Sequence, residues 1–130
     1  MKTFKIFIAE EAEVTDQQLK DLEKFADRLL NKFDIDVSFT KHFKERVNDG
    51  RNKPMIKVSE LQQFFKKVSK HKGKRIKQMD DNEQAVLKDI QKDLNLPIVI
   101  EINKDKEFEV RVKTIMRKPD FKTPNKVIKY

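Results

Sequence analysis

The sequence has no cysteine and no tryptophan, and it has only two glycines and two histidines in 130 residues. Without cysteine there are no disulfides, no thiolate metal sites and no cysteine nucleophile. Two glycines are too few for a phosphate-binding P-loop or a glycine-rich dinucleotide-binding loop. His42 and His71 are too few for a histidine-rich metal centre. We therefore expect a protein that uses no cofactor and no metal ion.

Long apolar runs are missing as well. The N-terminal stretch MKTFKIFIAE is interrupted by Lys2 and Lys5. It therefore lacks both the apolar region of roughly 7–15 residues found in secretory signals and the about 20 apolar residues of a membrane helix. No later segment approaches that length, so we expect no membrane partner.

Basic residues are abundant: Lys and Arg number 30 against 22 Asp and Glu, which gives a formal net charge of +8. A surplus of this size attracts polyanions at low salt. The densest basic run surrounds His71, which we interpret as a surface residue. This run, together with one lysine near the C-terminus, predicts a nucleic-acid-binding set: Lys66, Lys67, Lys70, Lys72, Lys74, Arg75, Lys77 and Lys118.

Helical spacing of apolar residues predicts about four helices. The first covers residues 15–33 and starts at a capping box of Thr15 and Gln18. The second follows Thr40 and ends at Gly50 in a left-handed conformation. The third starts at a capping box of Ser59 and Gln62 and ends in the basic run, and the fourth covers residues 82–94.

Alternating apolar residues predict strands between and after these helices. One strand covers residues 35–39, and residues 96–116 form a β-hairpin whose first strand starts at Pro97. The tail that follows is irregular, with at most one short strand. The whole is a single α+β domain, about four helices on a small antiparallel sheet with a C-terminal hairpin. The predicted core consists of Phe25, Leu29, Phe39, Phe43, Phe64, Phe65, Leu87, Ile90, Val99, Val110 and Val112.

The leader MKTFKIFIAE resembles the capsid-targeting sequence of internal head proteins of T-even-type tailed phages. In that family the prohead protease cuts after a Glu that has Leu or Ile two positions before it, and Glu10 with Ile8 is the one Glu of this chain that fits. The resemblance implies a leader at 1–10, a mature chain starting at Glu11 and a domain at 11–130. It further implies packaging in the virion with phage DNA, contact with the prohead core and protease, and injection into the host cytoplasm. An amphipathic N-terminal helix that docks on the domain is the alternative.

A second stretch, TKHFKERVNDGRNKPMI, places His42 and Arg46 four residues apart, on one face of a helix. With Arg51, Ile56 and a later hairpin, it resembles small RNA-cleaving folds. These are the RelE-like toxins, the phage endoribonuclease RegB and relatives in the barnase–EndoU–colicin–RelE group. The resemblance implies a metal-independent endoribonuclease that acts on host RNA or translation. Its catalytic residues would be His42, Arg46, Arg51, Thr114 and Arg117.

Ordinary structural roles compete with these assignments. His42 and Arg46 also suit a solvated helix face, Arg51 a loop contact, and Thr114 an ordinary strand position. Two acidic pairs, Asp34 with Asp36 and Asp80 with Asp81, are explained better by helix starts and strand edges than by a metal site. As a whole, the chain is therefore either a ribonuclease-like effector or a non-catalytic basic protein that binds nucleic acid or blocks a host defence protein.

Overall fold

The first helix forms where its capping box predicts it. A computed structural model describes residues 13–129, so the predicted leader at 1–10 and the predicted cleavage residues Ile8, Glu10 and Glu11 lie outside the described residues. Helix α1 spans Asp16–Leu30. The Thr15 hydroxyl accepts the N–H of Gln18 at 3.1 Å, and the Gln18 side chain accepts the N–H of Thr15 at 2.9 Å. These two bonds satisfy amide groups that have no partner within the helix, which confirms the predicted start.

Strand β1 also matches its sequence pattern. A short 3₁₀ helix, Asn31–Phe33, leads into β1, Ile35–Phe39, whose alternate residues are buried as predicted. The N–H groups of Val37 and Phe39 donate to the carboxylates of Asp27 and Glu23 on α1, at 2.9 and 2.7 Å. These bonds cover the outer edge of β1, which is the end strand of the sheet.

The ends of the next two helices differ from the prediction. Helix α2 spans Lys41–Arg46 and starts at Thr40, whose hydroxyl accepts the N–H of Phe43, but it stops well before Gly50. Gly50 has no positive φ, so its predicted left-handed role was wrong. Helix α3 spans Val58–Lys77, and its first turn includes Ser59. The bond that starts it runs from the Lys57 N–H to the Glu60 carboxylate, so the predicted capping box of Ser59 and Gln62 was also wrong.

Helix α3 continues through the basic run, where the sequence predicted that it would end. Gly73 is buried against the ring of Phe33, and a Cβ at this position would overlap that ring. Glycine is therefore needed here for close approach rather than for flexibility. Helical hydrogen bonding across residues 72–77 keeps the basic side chains on a regular framework.

We expect Gly73→Ala to destabilise the protein by about 1–3 kcal/mol, because the added methyl group forces the Phe33 ring out of a packed position. Urea denaturation followed by circular dichroism measures this change. Gly50→Ala is the matched control, since a Cβ there meets no atom within 4 Å. Equal stability of the two variants would contradict the packing role of Gly73.

The predicted fourth helix is wrong. Residues Gln84–Asp89 form strand β2, and a turn leads to β3, Leu94–Ile102. Ala85, Val86 and Leu87 are buried consecutively, as in a strand covered on both faces. Ile90 falls in the turn and is 54% exposed, so its assignment to the core was wrong.

The sheet has six strands in the described part of the chain. Strands β4, Phe108–Val112, β5, Met116–Arg117, and β6, Lys126–Lys129, complete it. The order is β1-β4-β3-β2-β6, and β5 pairs with β3. The predicted hairpin is confirmed as β3–β4, within which Pro97 is an interior residue rather than the start. The pairs β1–β4 and β2–β6 are parallel, so the sheet is mixed and not purely antiparallel.

The fold is therefore α+β, with three α-helices in the described residues rather than four. Helices α1 and α3 pack on each other, and α1 packs on β1. The Phe39 ring lies 4.5 Å from that of Phe43 and 5.8 Å from that of Phe65, so one aromatic cluster joins β1, α2 and α3. Most of the predicted core is buried. Val99 is only half-buried, because it points to the face of β3 opposite Ile98 and Ile100.

Candidate functional site

The parallel pairing of β1 with β4 brings α2 and the segment after β4 together. The N–H of Thr40 donates to the Val112 carbonyl at 3.1 Å, and its hydroxyl donates to the Lys113 carbonyl at 2.8 Å. A cavity of about 350 Å³ lies between these segments. Its lining includes all five residues predicted to be catalytic, together with others that the prediction did not include. The lining residues are His42, Arg46, Asp49, Arg51, Asn52, Thr114, Ile115, Met116, Arg117 and Lys118.

His42 and Arg46 lie one turn apart on α2, and their side chains contact each other. Phe43 between them is fully buried, which fixes the helix and leaves His42 exposed. The Arg46 Nε–H donates to His42 Nε2 at 3.3 Å. Nε2 is an acceptor when the imidazole carries its proton on Nδ1, and that tautomer suits this contact. The arrangement places an imidazole next to a guanidinium.

Asp49 joins the two arginines and was not predicted as a site residue. Its Oδ2 accepts from Arg46 Nη1 at 3.1 Å and from Arg51 Nη2 at 3.0 Å, and its Oδ1 accepts from Arg51 Nε at 3.0 Å. The Arg51 side chain remains 74% exposed. Asp49 thus gathers both guanidinium groups at the cavity. In the sequence, the turn-forming NDG triplet is the one signal for it.

Thr114 follows β4 and contributes a hydroxyl with no hydrogen-bond partner. Its Oγ1 is buried and unpaired with respect to the described residues. Buried hydroxyls are nearly always hydrogen-bonded, since an unpaired one costs about 1–3 kcal/mol. Sequence reasoning predicted Thr114 as a site residue, and the structure places it in the cavity wall.

Arg117 lies in the cavity wall, but its guanidinium is bonded to the protein itself. It donates to the carbonyls of Pro54 and Lys92, both at 2.9 Å, and to the carboxylate of Glu60 at 2.6 Å. The Arg117 side chain is only 7% exposed. These contacts tie β5 to the start of α3 and give Arg117 a structural role rather than a phosphate-binding one.

The Glu60 carboxylate is the ionic partner of Arg117. Burial by itself would raise the pKa of Glu60. The hydrogen bonds from Arg117 and from the Lys57 N–H, together with the positive charges of Arg117 and Lys92, outweigh burial, and the net effect lowers this pKa below its usual value of 4.5. Glu60 is therefore ionised near neutral pH, and the buried guanidinium is neutralised.

Asn52 was also missed by sequence reasoning and acts as a link within the site. It is 6% exposed. Its Nδ2 donates to the Arg46 carbonyl at 2.9 Å, and its Oδ1 accepts the N–H of Arg117 at 2.9 Å. Asn52 therefore connects the end of α2 with β5 and holds the two walls of the cavity in place.

Seven of the eight predicted nucleic-acid-binding residues lie on α3, and Lys118 lines the cavity instead. Several of the seven already have partners. Lys67 pairs with the buried carboxylate of Asp89 at 3.6 Å, and Lys77 donates to the Asp34 carbonyl at 2.9 Å. Lys72 is half-buried on the core side of the helix. The exposed members of the predicted set on α3 are Lys66, Lys70, Lys74 and Arg75.

Residues 13–129 hold neither a metal-binding cluster nor a membrane-spanning helix. In this range no group of three or more His, Cys, Asp and Glu side chains has an arrangement that would hold a metal ion. No helix in it is both long and apolar enough to cross a membrane.

The cavity combines an imidazole, four cationic side chains, one carboxylate and an unpaired hydroxyl. Chemically, this arrangement suits a phosphate ester, because cations bind the phosphate and the imidazole can move a proton. Comparison with known proteins gave no match: no family model, no curated protein and no solved structure is similar enough to this chain to identify it.

Proposed function

We propose that the domain is a metal-independent endoribonuclease acting on host RNA, including RNA of the translation machinery. The observation that carries the proposal is the meeting of His42, Arg46, Arg51 and Thr114 at one cationic cavity, although 72 positions separate the first from the last. A phosphate can be held only by groups on the same side of the domain.

In the proposed reaction, His42 acts as the base. Its Nε2 takes the proton of the ribose 2′-hydroxyl, whose oxygen attacks the adjacent phosphorus. The P–O2′ bond forms, the P–O5′ bond breaks, and the products are a 2′,3′-cyclic phosphate and a 5′-hydroxyl. The 3.3 Å bond from Arg46 to Nε2 is near the long limit for a hydrogen bond, so a substrate hydroxyl can replace it.

The arginines stabilise the charge that develops on the phosphate. Arg51 is exposed, and both guanidinium groups are already oriented by Asp49. Charge-assisted bonds from oriented donors stabilise a phosphorane without reorganisation at the moment of reaction. The Thr114 hydroxyl lies in the cavity wall without a protein partner, so a substrate that uncovers its buried Oγ1 gains a further donor.

The leaving 5′-oxygen needs a proton. Lys118 also lines the cavity, and neither the Asp49 carboxylate nor the Glu60 carboxylate binds its side chain. Its ammonium group is therefore suited to donate this proton to the 5′-oxygen. Sequence reasoning placed Lys118 among the binding residues, and its position in the cavity wall favours this more direct role.

The experiment that tests the proposal incubates the purified protein with RNA in excess EDTA, with DNA of the same sequence as the control. We expect cleavage of RNA to products with 2′,3′-cyclic phosphate ends, and no cleavage of DNA, which lacks the attacking hydroxyl. Cleavage of both polymers, or of neither, defeats the proposal.

The leader supports a further proposal: the protein is packaged in a phage head, cut by the prohead protease after Glu10 and injected into the host. We expect the chain recovered from purified heads to start at Glu11, because Ile8 and Glu10 supply the cleavage pattern. N-terminal sequencing measures this start. An intact Met1 in heads, or no such protein in heads, contradicts the proposal.

A non-catalytic nucleic-acid-binding or defence-blocking protein is the second candidate. The observation that favours it is Asp49, since this carboxylate occupies donors of both arginines that a phosphate would need. For such a protein, the charge of α3 is sufficient and His42 is dispensable. The RNA cleavage assay therefore separates the two candidates.

A further inference from the structure

A second cavity, of about 550 Å³, lies at the other end of α3 from the candidate site. Glu60 in the first turn of α3 holds Arg117 at the first cavity, whereas the last turns of the helix line the second. The rise of about 1.5 Å per residue puts Glu60 and Arg75 roughly 22 Å apart along the helix axis. The second cavity is lined by His71, Lys74, Arg75, Gln78, Met79, Lys126 and Ile128.

The charge in this second lining is positive. Lys74, Arg75 and Lys126 are cationic, and no carboxylate is present among the described lining residues. Lys126 pairs with Glu83 at 2.8 Å, so the uncompensated charge comes from α3. His71, Lys74 and Arg75 are all exposed, which leaves them accessible to a ligand.

Helix α3 itself supplies little negative charge to balance its basic residues. Glu60 is its one acidic residue, and Arg117 already neutralises it. Lys66, Lys70 and Lys74 follow one another at intervals of four residues, a spacing at which like charges repel each other and destabilise a helix. A bound polyanion would relieve this repulsion.

A row of polar residues links the two ends of the helix. At about 100° per residue, Lys67, His71, Lys74 and Gln78 lie on the same side of α3 as Glu60. A strand of nucleic acid that leaves the first cavity can therefore follow one side of the helix to the second.

We propose that the second cavity is a phosphate-binding subsite for the RNA strand that is cut at the first. The identity of the strand as RNA rests on the proposed function, whereas the subsite itself rests on the charge and position of its lining. At about 3.4 Å per stacked nucleotide, roughly six nucleotides span the distance. The protein should therefore bind long RNA strands better than short ones.

The test measures binding by fluorescence anisotropy, with RNA of 3 and 12 nucleotides and with His42→Ala protein, so that the RNA stays intact. The test variant is Lys74→Gln with Arg75→Gln. The control is Lys20→Gln with Lys24→Gln, which removes the same charge from exposed positions of α1, a helix of mixed charge. For the test variant, we expect affinity for the 12-mer to fall about tenfold and its salt dependence to weaken, with little change for the 3-mer.

A loss of affinity that is the same in test and control variants, or the same for both RNA lengths, overturns the subsite. If polyglutamate binds as tightly as the 12-mer at equal salt, the subsite is also overturned, because the surface would then fit an acidic protein. Thermal unfolding at low salt gives an independent readout: the test variant should melt at a higher temperature than the parent, since repulsion is removed. If the parent cuts no RNA but binding behaves as expected, the proposed cleavage fails while the subsite stands.

Discussion

Replacing His42 with Ala should lower the rate of RNA cleavage by about 10²–10⁴-fold, which is the usual contribution of a general base. His42 is exposed, so the substitution removes a proton acceptor without opening a cavity in the core. RNA affinity should change little, because the cations that bind phosphate remain. Single-turnover cleavage at saturating protein, combined with a separate binding measurement, distinguishes the loss of chemistry from a loss of affinity.

Glu45→Ala is the control for the His42 variant, since Glu45 is exposed on the same helix and does not line the cavity. Thr114→Val adds a second comparison. Because the Thr114 hydroxyl is buried without a partner, its removal should leave stability unchanged or raise it. If that hydroxyl binds the substrate, cleavage should nevertheless slow. A His42→Ala protein that cuts RNA as fast as the parent would refute the proposed base.

Arg117→Met should destabilise the fold by about 3–5 kcal/mol, the usual cost of removing one partner of a buried ion pair. The change leaves the carbonyls of Pro54 and Lys92 without the Arg117 donor, and it leaves the Glu60 carboxylate without its ionic partner. Urea denaturation at pH 7 measures the free energy of unfolding. Arg111→Met is the matched control, because Arg111 pairs with Glu101 at 3.1 Å but is 44% exposed. Exposed pairs contribute about 0–1 kcal/mol, so equal losses in the two variants would contradict a special role for Arg117.

The same ion pair predicts a dependence on pH. The pKa of Glu60 is lower in the folded protein than its usual value of 4.5, so its contribution to stability is complete above about pH 4.5. That contribution is lost as the pH falls through 4.5 towards the pKa of the folded state. In Arg117→Met, the hydrogen bond and the charge of Arg117 no longer lower this pKa, so the gap in stability between parent and variant should narrow below pH 4.5. A gap that is constant from pH 3 to pH 7 would show that the pair does not act through ionisation.

The sequence alone determined the elements whose signals are local. The capping residues Thr15 and Thr40 lie within a few positions of the N–H groups they accept, so the starts of α1 and α2 were predictable. The alternation at Ile35, Val37 and Phe39 likewise predicted β1. The β3–β4 hairpin joins neighbouring segments and needed no distant partner.

Long-range packing decided the elements that were mispredicted. Consecutive apolar residues around Val86 suit both a helix and a strand covered on two faces, and pairing with β3 and β6 selected the strand. Gly73 looked like a helix end, yet contact with Phe33, far back in the chain, keeps it inside α3.

The candidate site shows the same division. The spacing of His42 and Arg46 is a local property of one helix, so their shared face was predictable from the sequence. The parallel pairing of β1 with β4 brings Thr114 to them, and only the tertiary structure reveals it. Arg117 and Glu60 lie 57 positions apart, so no local pattern indicated that this guanidinium is buried and paired. Hydrogen bonds and burial between distant segments depend on how the chain folds back on itself, and these contacts decide whether a charged side chain binds a ligand or the protein.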